Sequence, residues 1–289
     1  MKILVASTAT DIYCEQLLIA FVQAGHQVGL VSDPLNKTTM LERTPDVPIL
    51  ADVSVQGRFD TQARDQYAHH IETFQPDIIL TYTTRALNLM VLAANKIKSP
   101  IPIIGHRGAL GGLSFFNPLD WLTYFNHRVN AIVCFSRAVE QALILRSKRK
   151  RLPHLLKKPK YLTIYQGCYF LLENSSVLDD EVFNFSVIAN DRPIKGIDLL
   201  LDAILLLPES EIDFKVNIYG EMSARLVDRV KLNNRLTRIV LLHGYIKNAR
   251  LKLSQAHAYI QPTLAPGEGF GNAVAEAMGF GLPVITSNV

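Results

Sequence analysis

Between Pro262 and Gly279 the chain runs Pro-Thr-Leu-Ala-Pro-Gly-Glu-Gly-Phe-Gly-Asn-Ala-Val-Ala-Glu-Ala-Met-Gly. Gly267, Gly269 and Gly271 strip side chains from a turn and let a ligand approach the backbone. Asn272 suits the N-cap of the helix that follows, and the first amides of that helix make an anion site fit for a diphosphate. Glu268 lies in the turn and Glu276 lies one helical turn in, both directed to the same edge. A carboxylate is a poor partner for phosphate and a good acceptor for sugar hydroxyls. Phosphate-binding amides flanked by two carboxylates therefore fit a nucleotide sugar. The plainer alternative is a common strand-to-helix turn with Glu276 on a solvated helix face.

Other residues in chemically suggestive settings are more scattered. Lys195-Gly196 opens a helical segment, with Arg192 three residues earlier. Read alone, this is a surface charge as readily as a phosphate ligand. His106-Arg107-Gly108-Ala109-Leu110-Gly111-Gly112 follows an apolar run, which places a histidine and an arginine after an expected strand. Cys14, Cys134 and Cys168 lack the close spacing of a zinc site or redox pair and are expected to be isolated thiols.

These residues need elements to position them. In the first part of the chain, short β-type runs at Lys2–Ser7, Gln27–Ser32, Asp77–Thr81, Ile101–Ile104, Ala131–Ser136 and Tyr161–Tyr165 alternate with helical patterns. Those helices are expected at Tyr13–Ala24, Asp60–Phe74, Arg85–Lys96 and Ala138–Arg146; Val47–Val55, interrupted by Pro48, is an edge strand or loop. The pattern lapses between Leu171 and Asn184 and then restarts. Strands are expected at Phe185–Ala189, Phe214–Tyr219, Ile239–Leu242, Ala258–Gln261 and Pro283–Ser287. Helices are expected at Gly196–Leu206, Ala224–Leu232, Ala249–Gln255 and Asn272–Gly279. This cadence predicts two α/β domains with parallel sheets, residues 1–172 and 173–289, each binding ligands beyond the carboxyl ends of its strands.

The bulk properties set limits. The chain has 289 residues, 48% hydrophobic and 19% charged, which excludes a disordered chain. No apolar segment approaches the length of a membrane span, and the opening Met1–Ala6 is too short for a signal-peptide core. The net charge is +4, with eight of the 30 Lys and Arg residues between Arg146 and Lys160. That run has two readings, docking on anionic lipid headgroups or a solvated helix end. It lacks the aromatic interleaving that would favour nucleic acid, and no nucleic-acid partner is expected.

The setting Pro262…Glu268-Gly-Phe-Gly…Glu276-Ala-Met…Gly281-Leu-Pro-Val-Ile-Thr-Ser resembles the signature of glycosyltransferase family 4, retaining enzymes of the two-Rossmann GT-B fold. The resemblance implies that Glu268 binds the donor hexose, that Gly269, Phe270, Gly271 and Asn272 line the donor, and that Glu276 binds the ribose. Asn190–Leu200 is similar to the family's first turn of the donor domain, in which Lys195 and an arginine neutralise the diphosphate. That arginine commonly stands further upstream, where this chain has Asn190; Arg192 is the cation assigned to the role. Tyr219-Gly220-Glu221 and His243-Gly244-Tyr245-Ile246 fall where the family frames the base, so Gly220, Tyr245 and Ile246 join the donor set. His243 itself is read as an ordinary loop histidine. His106 resembles the acceptor-side histidine, and the segment Asn117–Val139 resembles bacterial members. The family often has a Gly-Gly loop after the first strand, whereas this chain has Thr10-Asp11-Ile12-Tyr13.

The function so implied is retaining transfer of a hexosyl group from a nucleotide-diphosphate sugar to a glycan or lipid-linked acceptor, in envelope polysaccharide or lipopolysaccharide synthesis. Glu268, Lys195, Arg192 and His106 form the expected catalytic set, with no metal or cofactor required. A cytoplasmic protein, peripheral at the inner face of the membrane through Arg146–Lys160, is the expected setting. A complete family member would continue past Ser287, so a second domain incomplete at its C-terminus is expected. The alternatives are a sugar-nucleotide epimerase of the same fold and a non-catalytic sugar-nucleotide-binding remnant. A dinucleotide oxidoreductase is disfavoured because neither domain has Gly-x-Gly-x-x-Gly after its first strand.

Overall fold

Runs such as Ile3-Leu4-Val5-Ala6 are apolar at every position, which suits a strand covered on both faces rather than one with a solvated side. In the computed structural model they form the central strands of two parallel sheets. The structure describes residues 1–8, 11–33, 49–114, 116–148, 159–167, 182–208, 213–264 and 268–288. It divides into two compact units, Met1–Gly167 and Cys168–Val289. The expected boundary at 172/173 lies outside the described residues.

The first unit contains β1 (Lys2–Ser7), α1 (Ile12–Gln23), β2 (Gln27–Ser32), β3 (Ile49–Asp52), α2 (Thr61–Phe74), β4 (Ile78–Thr81) and α3 (Thr84–Lys96). It continues through β5 (Ile103–Arg107), the short α4 (Pro118–Trp121), β6 (Ala131–Cys134), α5 (Arg137–Lys148) and β7 (Lys160–Thr163). The sheet order is β3-β2-β1-β4-β5-β6-β7. Polar residues start the helices: Asp11 Oδ1 accepts from Cys14 N at 2.8 Å and Asp60 Oδ1 from Ala63 N at 3.0 Å. The order reverses between β1 and β4, which opens a crevice at their carboxyl ends. There Thr83 Oγ1 accepts from Thr8 N at 3.1 Å and ties the two exits together.

The second unit contains β8 (Phe183–Ile188), a 3-10 turn (Pro193–Lys195), α6 (Ile197–Leu206), β9 (Phe214–Tyr219), α7 (Ala224–Lys231), α8 (Asn234–Ile239) and β10 (Val240–Leu242). A 3-10 segment (Ala249–Gln255), β11 (Ala258–Gln261), α9 (Asn272–Gly279) and β12 (Val284–Thr286) follow. The order β10-β9-β8-β11-β12 reverses between β8 and β11. The loops leaving those two strands carry Lys195 and Glu268.

Three features depart from the sequence reading. His106 and Arg107 are the last residues of β5 rather than the loop after it. Pro102 cannot donate to a ladder, so the strand starts late, and pairing of His106 with Val133 and Arg107 with Cys134 carries it further. The short helices α4 and α8 were not expected; each is set by an asparagine cap, Asn117 and Asn233, and α8 has too few residues to show a period. The segment Ala249–Gln255 is 3-10 rather than α-helical.

Candidate functional site

The loop after β8 is shaped by two glycines. Gly196 has φ +66°, and a Cβ there would stand 1.7 Å from Pro262 O. Only glycine lets the start of α6 lie this close to the exit of β11. Leu264 N donates to Ile194 O at 2.8 Å and fixes the same approach. Gly220 has φ +143°, and a Cβ would come 2.1 Å from Ala189 O. Its amide donates to Gly244 O at 2.8 Å, which joins the exits of β9 and β10.

This frame brings Lys195 and Glu268 together. Their side chains form an ion pair and are only 12% and 24% exposed. Glu276 is half-buried on α9. Burial raises the Tyr259 phenol above its usual range, and the nearby carboxylates of Glu268 and Glu276 push it the same way. Tyr259 Oη donates to Gln261 Oε1 at 2.6 Å, and Gln261 Nε2 donates to Thr263 Oγ1 at 2.9 Å. This buried chain carries rigidity from the strand into the turn.

Asn272 is not the N-cap. Gly271, with φ +77°, takes the cap position, and its carbonyl accepts from Val274 N at 3.0 Å. A left-handed cap with no side chain makes no side-chain bond to the first amides of α9, which a capping asparagine would have made. Asn272 is the first helical residue, and its buried Oδ1 has no hydrogen-bond partner among the described residues. Gly269 is buried, and Phe270 is half-buried. Gly267 lies outside the described residues.

Arg192 is not gathered into the cluster. Its side chain is exposed and makes no ion pair among the described residues. Asn190 is engaged structurally: its Oδ1 accepts from Glu221 N at 3.0 Å, which latches the exit of β8 to that of β9. Tyr245 is 70% exposed and Ile246 half-buried, beside the Gly220–Gly244 bridge.

His243, an ordinary loop histidine by its sequence setting, has more specific surroundings. Its ring stacks on Tyr219 at 4.6 Å between centroids, 16° between planes. Nε2 lies 2.8 Å from Asn217 Oδ1. Partial burial, aided by the charge of Lys252, lowers its basicity. The signal in the sequence was the repeated aromatic-Gly dipeptide, Tyr219-Gly220 and His243-Gly244, closing adjacent strands. A wide groove elsewhere in this unit is lined by Phe183, Phe185, Leu200, Ile204, Ile260 and Ile285. No charged side chain among the described residues lines it, so those residues offer a diphosphate nothing.

In the first unit, His106 is buried at the end of β5. Nδ1 donates to Thr81 O at 3.0 Å, since a carbonyl can only accept, and Nε2 keeps the lone pair. Burial lowers its basicity, partly opposed by that hydrogen bond. Tyr82 and Phe135 pack against the ring. Arg107 is also buried; its guanidinium lies 4.5 Å from the Tyr124 ring centroid. Of the basic run, residues 149–158 lie outside the described residues. Cys14 and Cys134 are buried free thiols. No helix among the described residues is long and apolar enough to cross a membrane.

Two family models match the chain. The one described as Glycosyltransferase Family 4 matches residues 11–152, and the one described as Glycosyl transferases group 1 matches residues 182–289. No curated protein matches. Among solved structures, HepE of Anabaena in complex with UDP-glucose is similar, with a TM-score of 0.70 and 18% identity over 99% of this chain and 80% of its own. The lipopolysaccharide outer core galactosyltransferase WaaB has a TM-score of 0.69 and 14% identity, again over 99% and 80%. TarM has a TM-score of 0.75 and 12% identity, over 99% and 84%. At these identities the likeness is one of fold: two Rossmann-like units of the GT-B class.

Proposed function

We propose, for a chain that belongs to the family 4 glycosyltransferases and so transfers sugar, that it moves a hexosyl group from a nucleotide-diphosphate sugar with retention of configuration. The observation that carries this reading is the meeting of Lys195 and Glu268 at the switch point of the second sheet. Four residues after Glu268, α9 begins without a side-chain cap, and Glu276 stands on that helix. An ammonium and helix-terminal amides suit a diphosphate, and carboxylates suit hydroxyls. HepE, which holds UDP-glucose, and WaaB, a galactosyltransferase, support the donor class by likeness of fold.

In this reading the bond from the anomeric carbon to the diphosphate oxygen breaks and the acceptor oxygen takes its place. Lys195 and the first amides of α9 stabilise the charge that develops on the leaving diphosphate, joined by Arg192 if its exposed side chain turns inward. These groups supply the positive charge without a metal. Glu268 orients the hexose and Glu276 the ribose; Gly220, Tyr245 and Ile246 border the base. The acceptor, a glycan or lipid-linked sugar of envelope polysaccharide or lipopolysaccharide synthesis, is assigned to the first unit near His106. There the neutral Nε2 can accept a proton.

The test is incubation of the purified chain with a panel of UDP-, GDP- and ADP-hexoses and candidate acceptors, following nucleoside diphosphate release and the product anomer by NMR. One donor should give glycoside with the donor's own anomeric configuration. Inversion would remove the retaining assignment. An epimerised sugar in place of a glycoside, or binding without turnover, would favour the epimerase or the non-catalytic binder.

A further inference from the structure

Lys195 and Glu268 are both assigned to the donor, yet in the structure they hold each other. Neither is a surface charge finding a partner by chance, since both are largely enclosed. The backbone beside Lys195 is fixed against the exit of β11. Gly196 lies against Pro262, and Leu264 N bonds to Ile194 O at 2.8 Å, so the two loops cannot drift apart freely. This approach holds the loop of Lys195 close to the exit of β11, and the ammonium and the carboxylate of Glu268 meet there. Through this pair Glu268 neutralises the charge that a phosphate would draw on, and Oε1 is taken from the acceptors the carboxylate could offer to hydroxyls. Carboxylate and phosphate are both oxyanions and compete for the same cation.

We propose that the Lys195–Glu268 ion pair is an internal gate. Glu268 occupies the cation meant for the diphosphate until a nucleoside diphosphate displaces it, and the displaced carboxylate then offers both oxygens to sugar hydroxyls. The inference rests on the donor-site reading above. Its consequence is selectivity for donor over product. A bare nucleoside diphosphate leaves Glu268 released and unpaired in a largely enclosed site, which opposes binding. A nucleotide sugar brings hydroxyls that satisfy the same carboxylate. The gate thus weakens the product's hold and couples sugar recognition to the diphosphate.

Calorimetry with UDP, GDP and ADP and with UDP-glucose, GDP-mannose and ADP-glucose tests this on wild type, Glu268→Gln, Lys195→Gln and the double variant. The nucleoside diphosphate that wild type binds should bind Glu268→Gln about tenfold tighter, or about 1.4 kcal/mol, because the competing anion is gone. The matching nucleotide sugar should gain less or lose affinity, so the preference for donor over product falls. With Lys195→Gln in the background, Glu268→Gln should no longer tighten binding. Unchanged or weaker binding of the diphosphate by a folded Glu268→Gln would overturn the gate while leaving the donor site standing. So would equal tightening in the Lys195→Gln background. If none of the nucleotides binds wild type or Glu268→Gln, the donor-site reading falls and the gate with it.

Discussion

Gly196→Ala places one methyl group where the chain has no room. The Cβ would lie 1.7 Å from Pro262 O, and carbon–oxygen contacts normally stay beyond about 3.3 Å. The loops after β8 and β11 must then separate by roughly 1.5 Å, enough to break the bond from Leu264 N to Ile194 O. A residue with a Cβ also resists φ of +66°, at roughly 1–2 kcal/mol, and the lost hydrogen bond adds about 0.5–1.5 kcal/mol. The second unit should therefore lose about 2–3 kcal/mol. The single tryptophan, Trp121, lies in the first unit, so its fluorescence does not report on this change. Hydrogen exchange of peptides from β8 and β11 does, and their opening free energy should fall by that amount. Nucleoside diphosphate affinity should fall too, because Lys195 moves with the loop. Protection within about 0.5 kcal/mol of wild type, with unchanged affinity, would refute the argument that this glycine holds the site together.

Three further outcomes follow from the same structure. Lys195→Ala should weaken binding of a nucleoside diphosphate far more than that of the nucleoside; equal losses for both, by calorimetry, would remove the phosphate role. Burial holds the His106 imidazole below its ordinary value of 6.5, so its contribution to stability is complete above about pH 6.5. That contribution is lost as pH falls from there through the folded-state value, and His106→Gln should flatten part of the decline in urea midpoint between about pH 8 and about pH 5. Finally, the Arg146–Lys160 run should sediment the protein with anionic liposomes at low salt, at about 1 kcal/mol per basic residue, and release it as salt rises. Replacing Lys148, Arg149, Lys150 and Arg151 with Gln should abolish that binding, and wild type that ignores such vesicles would leave a solvated helix end.

Much of the fold was legible because its strands are short runs buried on both faces, flanked by residues with one structural meaning. Lys2–Ser7, Gln27–Ser32, Phe214–Tyr219 and Ala258–Gln261 have the limits the sequence suggests. The start of α2 follows from Asp60 and the start of α6 from Gly196. Local pattern was blind where pairing decides. It could not see that β6 would carry β5 through His106 and Arg107. It also gave Asn272 the cap by residue type, whereas the left-handed turn at Gly271 takes that position. The Glu268 and Glu276 pair was visible as spacing, but the meeting of Glu268 with Lys195, 73 residues away in sequence, depends on the reversal of strand order. Asn190, where a cation was expected, proves to be a structural latch on Glu221.

The proposed donor site lies at one location, the carboxyl edge of the second sheet at the reversal between β8 and β11. A hydrogen-exchange footprint of the chain with a bound nucleotide sugar tests that location directly. Protection should concentrate in peptides covering Asn190–Leu200, Tyr219–Glu221, His243–Ile246 and Glu268–Gly279, and it should vanish in the Lys195→Ala, Glu276→Ala double variant. Protection confined to other segments, or a footprint that survives loss of both Lys195 and Glu276, would contradict the account.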